Sequence, residues 1–293
     1  MPKISVLINN RDNASYLRTC VESVLAQTRP ADEVIAYDDG SVDESRAILA
    51  SFAPGVRTIE GPGGTGAPMQ NQAKAIEAAF ARSTGDLIFL LDGDDAFGPK
   101  HIEAYEQAFA RSESVIMVQA PQWKLNAHGN VVGVEYDPRR HAVDYVKHIH
   151  TTQDVNIYYS TSALAFRRSY LAQRLPLEEE PGLALWPDAR LALVAPHFGE
   201  IVTLEEPHTY WRRHPGSHTV LKRTSVYEQM RMNREYYNRF CARTGRPLVH
   251  TWRSPQHMKR LLRHLCPPQL IDSYQHLTGR RGVRPQLGGK ERG

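Results

Sequence analysis

Three aspartates within four positions, Asp92, Asp94 and Asp95, follow five consecutive apolar residues, Leu87 to Leu91. Carboxylates this close repel one another, so a divalent cation or a set of hydrogen-bond donors must offset their charge. Hard oxygen ligands with no Cys or His cluster beside them suit Mg2+ or Mn2+, held together with the phosphates of a ligand. The plainer alternative is a turn whose aspartates cap the next helix. Two further acidic features are Asp38-Asp39 ahead of Gly40, and Asp188 just before the periodic run Ala189 to Val194. An Asp at the second place serves either as an N-cap or as a general base. The three adjacent glutamates, Glu178 to Glu180, are the fallback for that base, although such a run is usually a solvated loop.

The elements that must position these groups follow from hydrophobic spacing. Ile4 to Ile8 predicts a strand, Tyr16 to Gln27 a helix, Glu33 to Tyr37 a strand, and Ser41-Val42-Asp43-Glu44 a capping box opening a helix to about Phe52. Val56 to Ile59 predicts a strand, Met69 to Ala81 a helix, and Leu87 to Leu91 a strand buried on both faces. Pro99 to Arg111 predicts a helix and Val115 to Val118 a strand. Trp123 and the valines at 131, 132 and 134 suggest hairpin-like strands, and Leu164 to Phe166 and Val202 to Leu204 further short ones. Short strands alternating with helices define an α/β protein with a mostly parallel central sheet flanked by helices. Ligands of such sheets lie outside the carboxyl ends of the strands, where Asn9 and Asn10, Asp38-Asp39 and Asp92 to Asp95 all fall.

Gly61 to Gly66 forms neither a dinucleotide fingerprint nor a P-loop, so NAD and ATP lose support. The glycines are either a loose connection or a backbone contact to ligand. Three scattered cysteines, Cys20, Cys241 and Cys266, fit no disulfide framework or zinc knuckle and are expected to be inert thiols. Neither a signal peptide nor a spanning helix is evident, which makes the cytoplasm the default location. Residues 1–200 carry 18 Lys and Arg against 26 Asp and Glu, a balance of −8, whereas residues 201–293 carry 18 against 6, a balance of +12. That basic end could face an anionic membrane, a phosphate-bearing substrate or nucleic acid. Scattered aromatics and missing Cys/His finger spacing disfavour nucleic acid. Val226 to Cys241 predicts a helix anchored by Met230, Tyr237 and Phe240, Met258 to Leu265 a short basic helix, and the Gly- and Arg-rich segment from residue 277 a disordered tail.

Taken in order, Ile4-Ser5-Val6-Leu7-Ile8-Asn9-Asn10, Asp38-Asp39-Gly40-Ser41-Val42-Asp43 and Leu90-Leu91-Asp92-Gly93-Asp94-Asp95 resemble the family 2 glycosyltransferases of GT-A fold. Ser162 to Ser169 resembles the acceptor-side segment of that family, and Tyr210-Trp211-Arg212-Arg213-His214 its Tyr-Arg-x-His segment. The resemblance implies a GT-A domain over 1–220, with a Rossmann-like nucleotide-sugar-binding half at 1–120 and an acceptor-side half at 121–220. A basic helical extension, 221–276, and the tail, 277–293, would follow. It implies an inverting, metal-dependent hexosyltransferase moving a sugar from a UDP- or dTDP-sugar to an acceptor hydroxyl, in cell-envelope polysaccharide or other glycan synthesis.

By the same likeness Asp94 is the direct metal ligand, His214 completes the metal shell, and Asp92 contacts the ribose or a metal-bound water. Asp39 accepts from the imide N–H of uracil or thymine, a chemically apt role for a carboxylate. Asn9 and Asn71 line the donor site, Arg212 reaches over the diphosphate, and Asp188 is the base. Where the family usually opens the first loop with an aromatic residue, this chain has Asn9-Asn10-Arg11. Carbohydrate, lipid-linked and other hydroxyl acceptors stay open, as do homo-oligomerisation and loose contact of the basic end with the inner face of a membrane. The rival readings are a metal-dependent nucleotidyltransferase, which would need a glycine-rich basic segment after the first strand, and a noncatalytic nucleotide- or partner-binding domain.

Overall fold

Strand β1 (Ile4–Asn10) leads through α1 (Ala14–Leu25) to β2 (Glu33–Asp38), through α2 (Ser45–Ala50) to β3 (Arg57–Glu60), and through α3 (Pro68–Arg82) to β4 (Leu87–Asp92). The chain continues as β5 (Ala96–Phe97), α4 (His101–Phe109), β6 (Val115–Gln119), β7 (Gln122–Leu125), β8 (Val131–Glu135) and α5 (Tyr145–Thr152). Then come β9 (Leu164–Arg167), α6 (Arg168–Arg174), α7 (Pro187–Ala192), β10 (Glu200–Thr203), β11 (Thr209–Arg212) and α8 (Val226–Thr244). This computed structural model describes residues 1–64, 66–217 and 226–250. The basic helix expected at Met258 to Leu265, the tail from residue 277 and Cys266 lie outside the described residues.

Seven strands form one sheet in the order β10-β6-β9-β4-β1-β2-β3, in which only β9 runs antiparallel to its neighbours. The mostly parallel sheet expected from the sequence is therefore present. Side chains alternate across a strand, so a strand covered on both faces must be apolar at every position. In β4, Ile88 and Leu90 enter one core with Ile76 and Ala79 of α3, while Leu87, Phe89 and Leu91 enter the other with Leu17, Val21 and Val24 of α1. All five are buried, each stabilising the fold by roughly 1.5–3 kcal/mol. A second, four-stranded sheet, β5-β11-β7-β8, carries the expected hairpin as antiparallel β7 and β8.

Two local expectations are corrected. Ser41 does not cap α2: its hydroxyl donates to Asp38 Oδ1 at 2.5 Å and the helix starts at Ser45 without a side-chain cap. The Asp38 carboxylate, fully buried, competes successfully for that hydroxyl. In α8 the buried methionine is Met232 and not Met230, because the helix turns Met232, Tyr236, Tyr237 and Phe240 inward together. Met1–Val249 pack as one unit, so α8 belongs with the sheet. No helix among the described residues is long and apolar enough to cross a membrane.

Candidate active site

Strand register brings the polar ends together. Asn9 of β1 lies opposite Asp92 of β4, and Asn10 opposite Asp38 of β2. The Asn9 amide donates to Asp92 Oδ1 at 2.6 Å and the Asn10 amide to Asp38 Oδ1 at 2.8 Å. Asp38 also accepts from the Ser41 amide at 3.1 Å and pairs with Arg46 at 3.3 Å, so it shapes the turn. Asp39 instead lines a cavity of about 630 Å³ at the carboxyl edge of the sheet, together with Asn9, Asn71, Asp92, Asp94, Asp188, Arg212 and His214. All eight residues singled out from the sequence thus share one cavity.

The acidic turn divides its work. Oxygens of Asp92, Asp94 and Asp95 approach within 4.8 Å of one another. Asp95 is buried, accepting from Ser162 Oγ at 2.6 Å and from the Arg212 amide at 2.7 Å. The first residue of helix α4 is preceded by Lys100, so Asp95 caps no helix. It straps β11 and the turn Thr161–Ala163 to the end of β4. Asp94 Oδ2 and His214 Nε2 stand 3.0 Å apart, the Arg212 Nε donates to the Asp94 carbonyl at 2.9 Å, and Tyr16 of α1 backs both the imidazole and the guanidinium. The antiparallel pairing of β11 with β5 delivers Arg212 and His214 to this place.

Burial, and next the charge of Asp94, raises the Asp92 carboxyl to about 7, against the opposing pull of the bonds from Asn9 and Gln72. Burial and the charges of Asp94 and Asp92 raise Asp95 as well. A turn that disfavours its own anionic form is one that gains from a nearby cation. Octahedral bonds of about 2.1 Å put neighbouring ligand atoms roughly 3 Å apart, the spacing that Asp94 and His214 present. The donor set, carboxylate oxygens and one imidazole, therefore fits Mn2+ or Mg2+. Cys20, behind the turn, has its thiol pushed up by burial and by the same aspartates, in keeping with an inert thiol.

Asp188 is the second residue of α7, after Pro187 and the N-cap Trp186, so it sits inside the first turn and not ahead of it. Its Oδ1 accepts from the Ala189 amide at 2.7 Å and its Oδ2 from Thr161 Oγ1 at 3.2 Å. The fallback glutamates do not line the cavity; Glu180 is buried between Arg239 and Arg243 of α8. Gln72, overlooked beside Asn71, donates through Nε2 to Asp92 Oδ1 at 2.8 Å and reaches Thr161 Oγ1 at 3.5 Å. A polar chain Asp92, Gln72, Thr161, Asp188 thereby crosses the cavity floor. Asn71 bonds both the amide and the carbonyl of Gly66 at 3.3 Å, closing the glycine loop onto α3. That loop is not a loose connection, since the Gly61 amide donates to the Asp38 carbonyl at 2.7 Å.

A doubly covered parallel sheet with an acidic turn, an imidazole and a second carboxylate around one nucleotide-sized cavity defines a GT-A type transferase site. The pattern of Glycosyl transferase family 2 matches residues 5–175, more than half of the chain, and the chain belongs to that family. Its activity is accordingly inverting glycosyl transfer from a nucleotide sugar, which removes the nucleotidyltransferase reading. An uncharacterized glycosyltransferase of Nostoc sp. is 28% identical over 250 residues, 83% of this chain and 77% of that protein. The chondroitin synthase of Pasteurella multocida is 28% identical over 140 residues, 47% of this chain but 14% of that protein. S. aureus TarS 1-349 in complex with UDP-GlcNAc superposes with a TM-score of 0.59 at 18% identity, covering 80% of this chain and 66% of that one. The mannosyltransferase PcManGT of Pyrobaculum calidifontis, in complex with GDP-Man and Mn2+, gives 0.54 at 14% identity, covering 96% and 76%. At these identities the two structures bear out the GT-A fold.

Proposed function

We propose that the donor is a UDP- or dTDP-sugar, bound with Mn2+ or Mg2+, and that the acceptor is a hydroxyl group of a cell-envelope or related glycan. The observation that carries this reading is the Asp94–His214 pair at 3.0 Å within the acidic turn, in a cavity that also holds Asp39 and Asp188. Asp94 and His214 would hold the ion, with Asp92 against the ribose or a metal-bound water. When bound, the ion supplies positive charge to the departing diphosphate. Arg212, fixed between Asp94 and Tyr16, adds its charge on the same side. Asp39 accepts the imide N–H of the base, and Asn9 and Asn71 frame the donor. Asp188 Oδ2, held by Thr161, takes the proton of the acceptor hydroxyl as its oxygen attacks the anomeric carbon. One displacement inverts that carbon, and no second acid is needed because the diphosphate leaves as an anion.

The cytoplasm is the proposed location, and the basic end is proposed to touch an anionic membrane face where a lipid-linked acceptor resides. Its +12 balance over residues 201–293 supports this. The central test is a thermal-shift screen of UDP, dTDP, GDP, CDP and ADP with and without Mn2+. Stabilisation by UDP or dTDP that needs Mn2+ is expected, and metal-dependent stabilisation by ADP alone would overturn the base assignment.

A further inference from the structure

Position 11, where the first strand opens into the cavity, carries a cation beside the very carboxylate assigned to the base. Arg11 Nη1 lies 3.5 Å from Asp39 Oδ2, its side chain 46% exposed against 10% for Asp39. The Gly64 amide donates to the same Oδ2 at 3.1 Å. Among the described residues no partner reaches Oδ1, and Asp39 lines the cavity. One carboxylate oxygen is therefore engaged twice, and the other is left to accept from a ligand. Gly64 is part of this arrangement, because a Cβ there would fall 1.2 Å from Arg11 Nη1. A side chain at that position would push the guanidinium out of its place beside Asp39.

We infer that Arg11 is a specificity-determining residue that restricts the donor base to uracil or thymine by occupying Asp39 Oδ2. The inference rests on the proposed contact between Asp39 and the base. Guanine presents two adjacent donors, N1–H and the N2 amino group, and a carboxylate grips it through both oxygens. Uracil and thymine present a single imide N–H between two carbonyls, which needs one acceptor flanked by donors. With Oδ2 engaged by Arg11 and Gly64, Asp39 offers one acceptor, and the remaining guanidinium N–H groups face a neighbouring carbonyl instead of an amino group. Guanine then meets a donor where it needs an acceptor, a mismatch of the kind that leaves buried polar groups unpaired.

The test is calorimetric titration of UDP, dTDP and GDP, each with Mn2+, into the wild type, Arg11→Ala and Gly64→Ala. The wild type is expected to bind UDP or dTDP at least about tenfold tighter than GDP. Both variants should narrow that ratio by about fivefold or more, with GDP affinity rising, while Tm stays close to the wild-type value. A ratio unchanged in Arg11→Ala, or a wild type that prefers GDP, overturns the inference. Failure of all three nucleotides to bind the wild type would strike the proposed donor class itself, a result distinguishable from the other two.

Discussion

At the residue scale the site separates groups that hold the fold from groups that face the ligand. Both oxygens of Asp38 and of Asp95 are taken by donors of the fold, whereas Asp94 and Asp39 each turn a carboxylate toward cationic partners, His214 and Arg11, on the cavity wall. Sequence proximity does not distinguish them, since Asp38 and Asp39 are neighbours and so are Asp94 and Asp95. Asp188→Asn is expected to lower kcat by about 10²–10⁴ while donor affinity changes little, because the amide cannot take a proton but keeps the side-chain shape. Steady-state kinetics with a separate UDP titration checks this. Asp94→Asn is expected to abolish the Mn2+ dependence of nucleotide binding. Unchanged metal dependence in that variant would remove Asp94 from the metal shell.

At the element scale the decisive contact is the Asp95 strap. It joins the end of β4 to the Thr161–Ala163 turn and to β11, so one carboxylate fixes where Thr161, Arg212 and His214 stand. Asp95→Ala leaves the Ser162 hydroxyl and the Arg212 amide without their acceptor and should cost about 1–3 kcal/mol. Asp95→Asn keeps an acceptor for the Arg212 amide and cannot take the charge that burial and its neighbours disfavour, so its stability should match or exceed that of the wild type. Urea melts of the two variants separate these outcomes, and equal losses would show that charge, not bonding, matters at this position. Gly40 plays a comparable part on the donor side. With φ of +65° and a Cβ that would fall 2.4 Å from Gly63 Cα, it lets the glycine loop lie against the end of β2.

Across the whole molecule, buried titratable groups set opposing pH responses. The Asp92 carboxyl is raised to about 7, so between its unfolded value and that pH the folded state holds a proton the unfolded chain releases. Unfolded chains then bind fewer protons, and stability falls as pH rises through this window. His101, stacked between Phe97 and Tyr105, is lowered to about 3 by burial, so its contribution is lost in the opposite direction, as pH falls below the unfolded imidazole value. Below the unfolded imidazole value the two responses oppose each other, so without a divalent ion the decline in Tm should show between about pH 6.5 and 7 and level off above it. Mn2+ requires the ionised carboxylates, so the Tm increment it produces should grow over the same range. Thermal scans across pH, with Mn2+ and with chelator, check both signs. A metal increment independent of pH would mean that the acidic turn does not bind the ion.

Much of this architecture was legible in the chain itself. Five apolar residues ending in Asp92, too short a run for a buried helix, read as a strand covered on both faces, and parallel topology then brings the polar strand ends to one edge. That logic collected Asn9, Asp39, Asp92 and Asp94 at one edge, because strand period is a local property, while Asn71, Asp188, Arg212 and His214 followed from the family resemblance. What folding alone decided is which donors each side chain meets: Ser41 bonding Asp38 in place of a cap, Gln72 bridging Asp92 toward Thr161, Arg11 against Asp39, and Asp95 bonded to a residue 117 positions away. Hydrogen bonding is short-ranged and directional, so a carboxylate's partners are fixed by where the backbone brings donors, and no spacing along the chain encodes that.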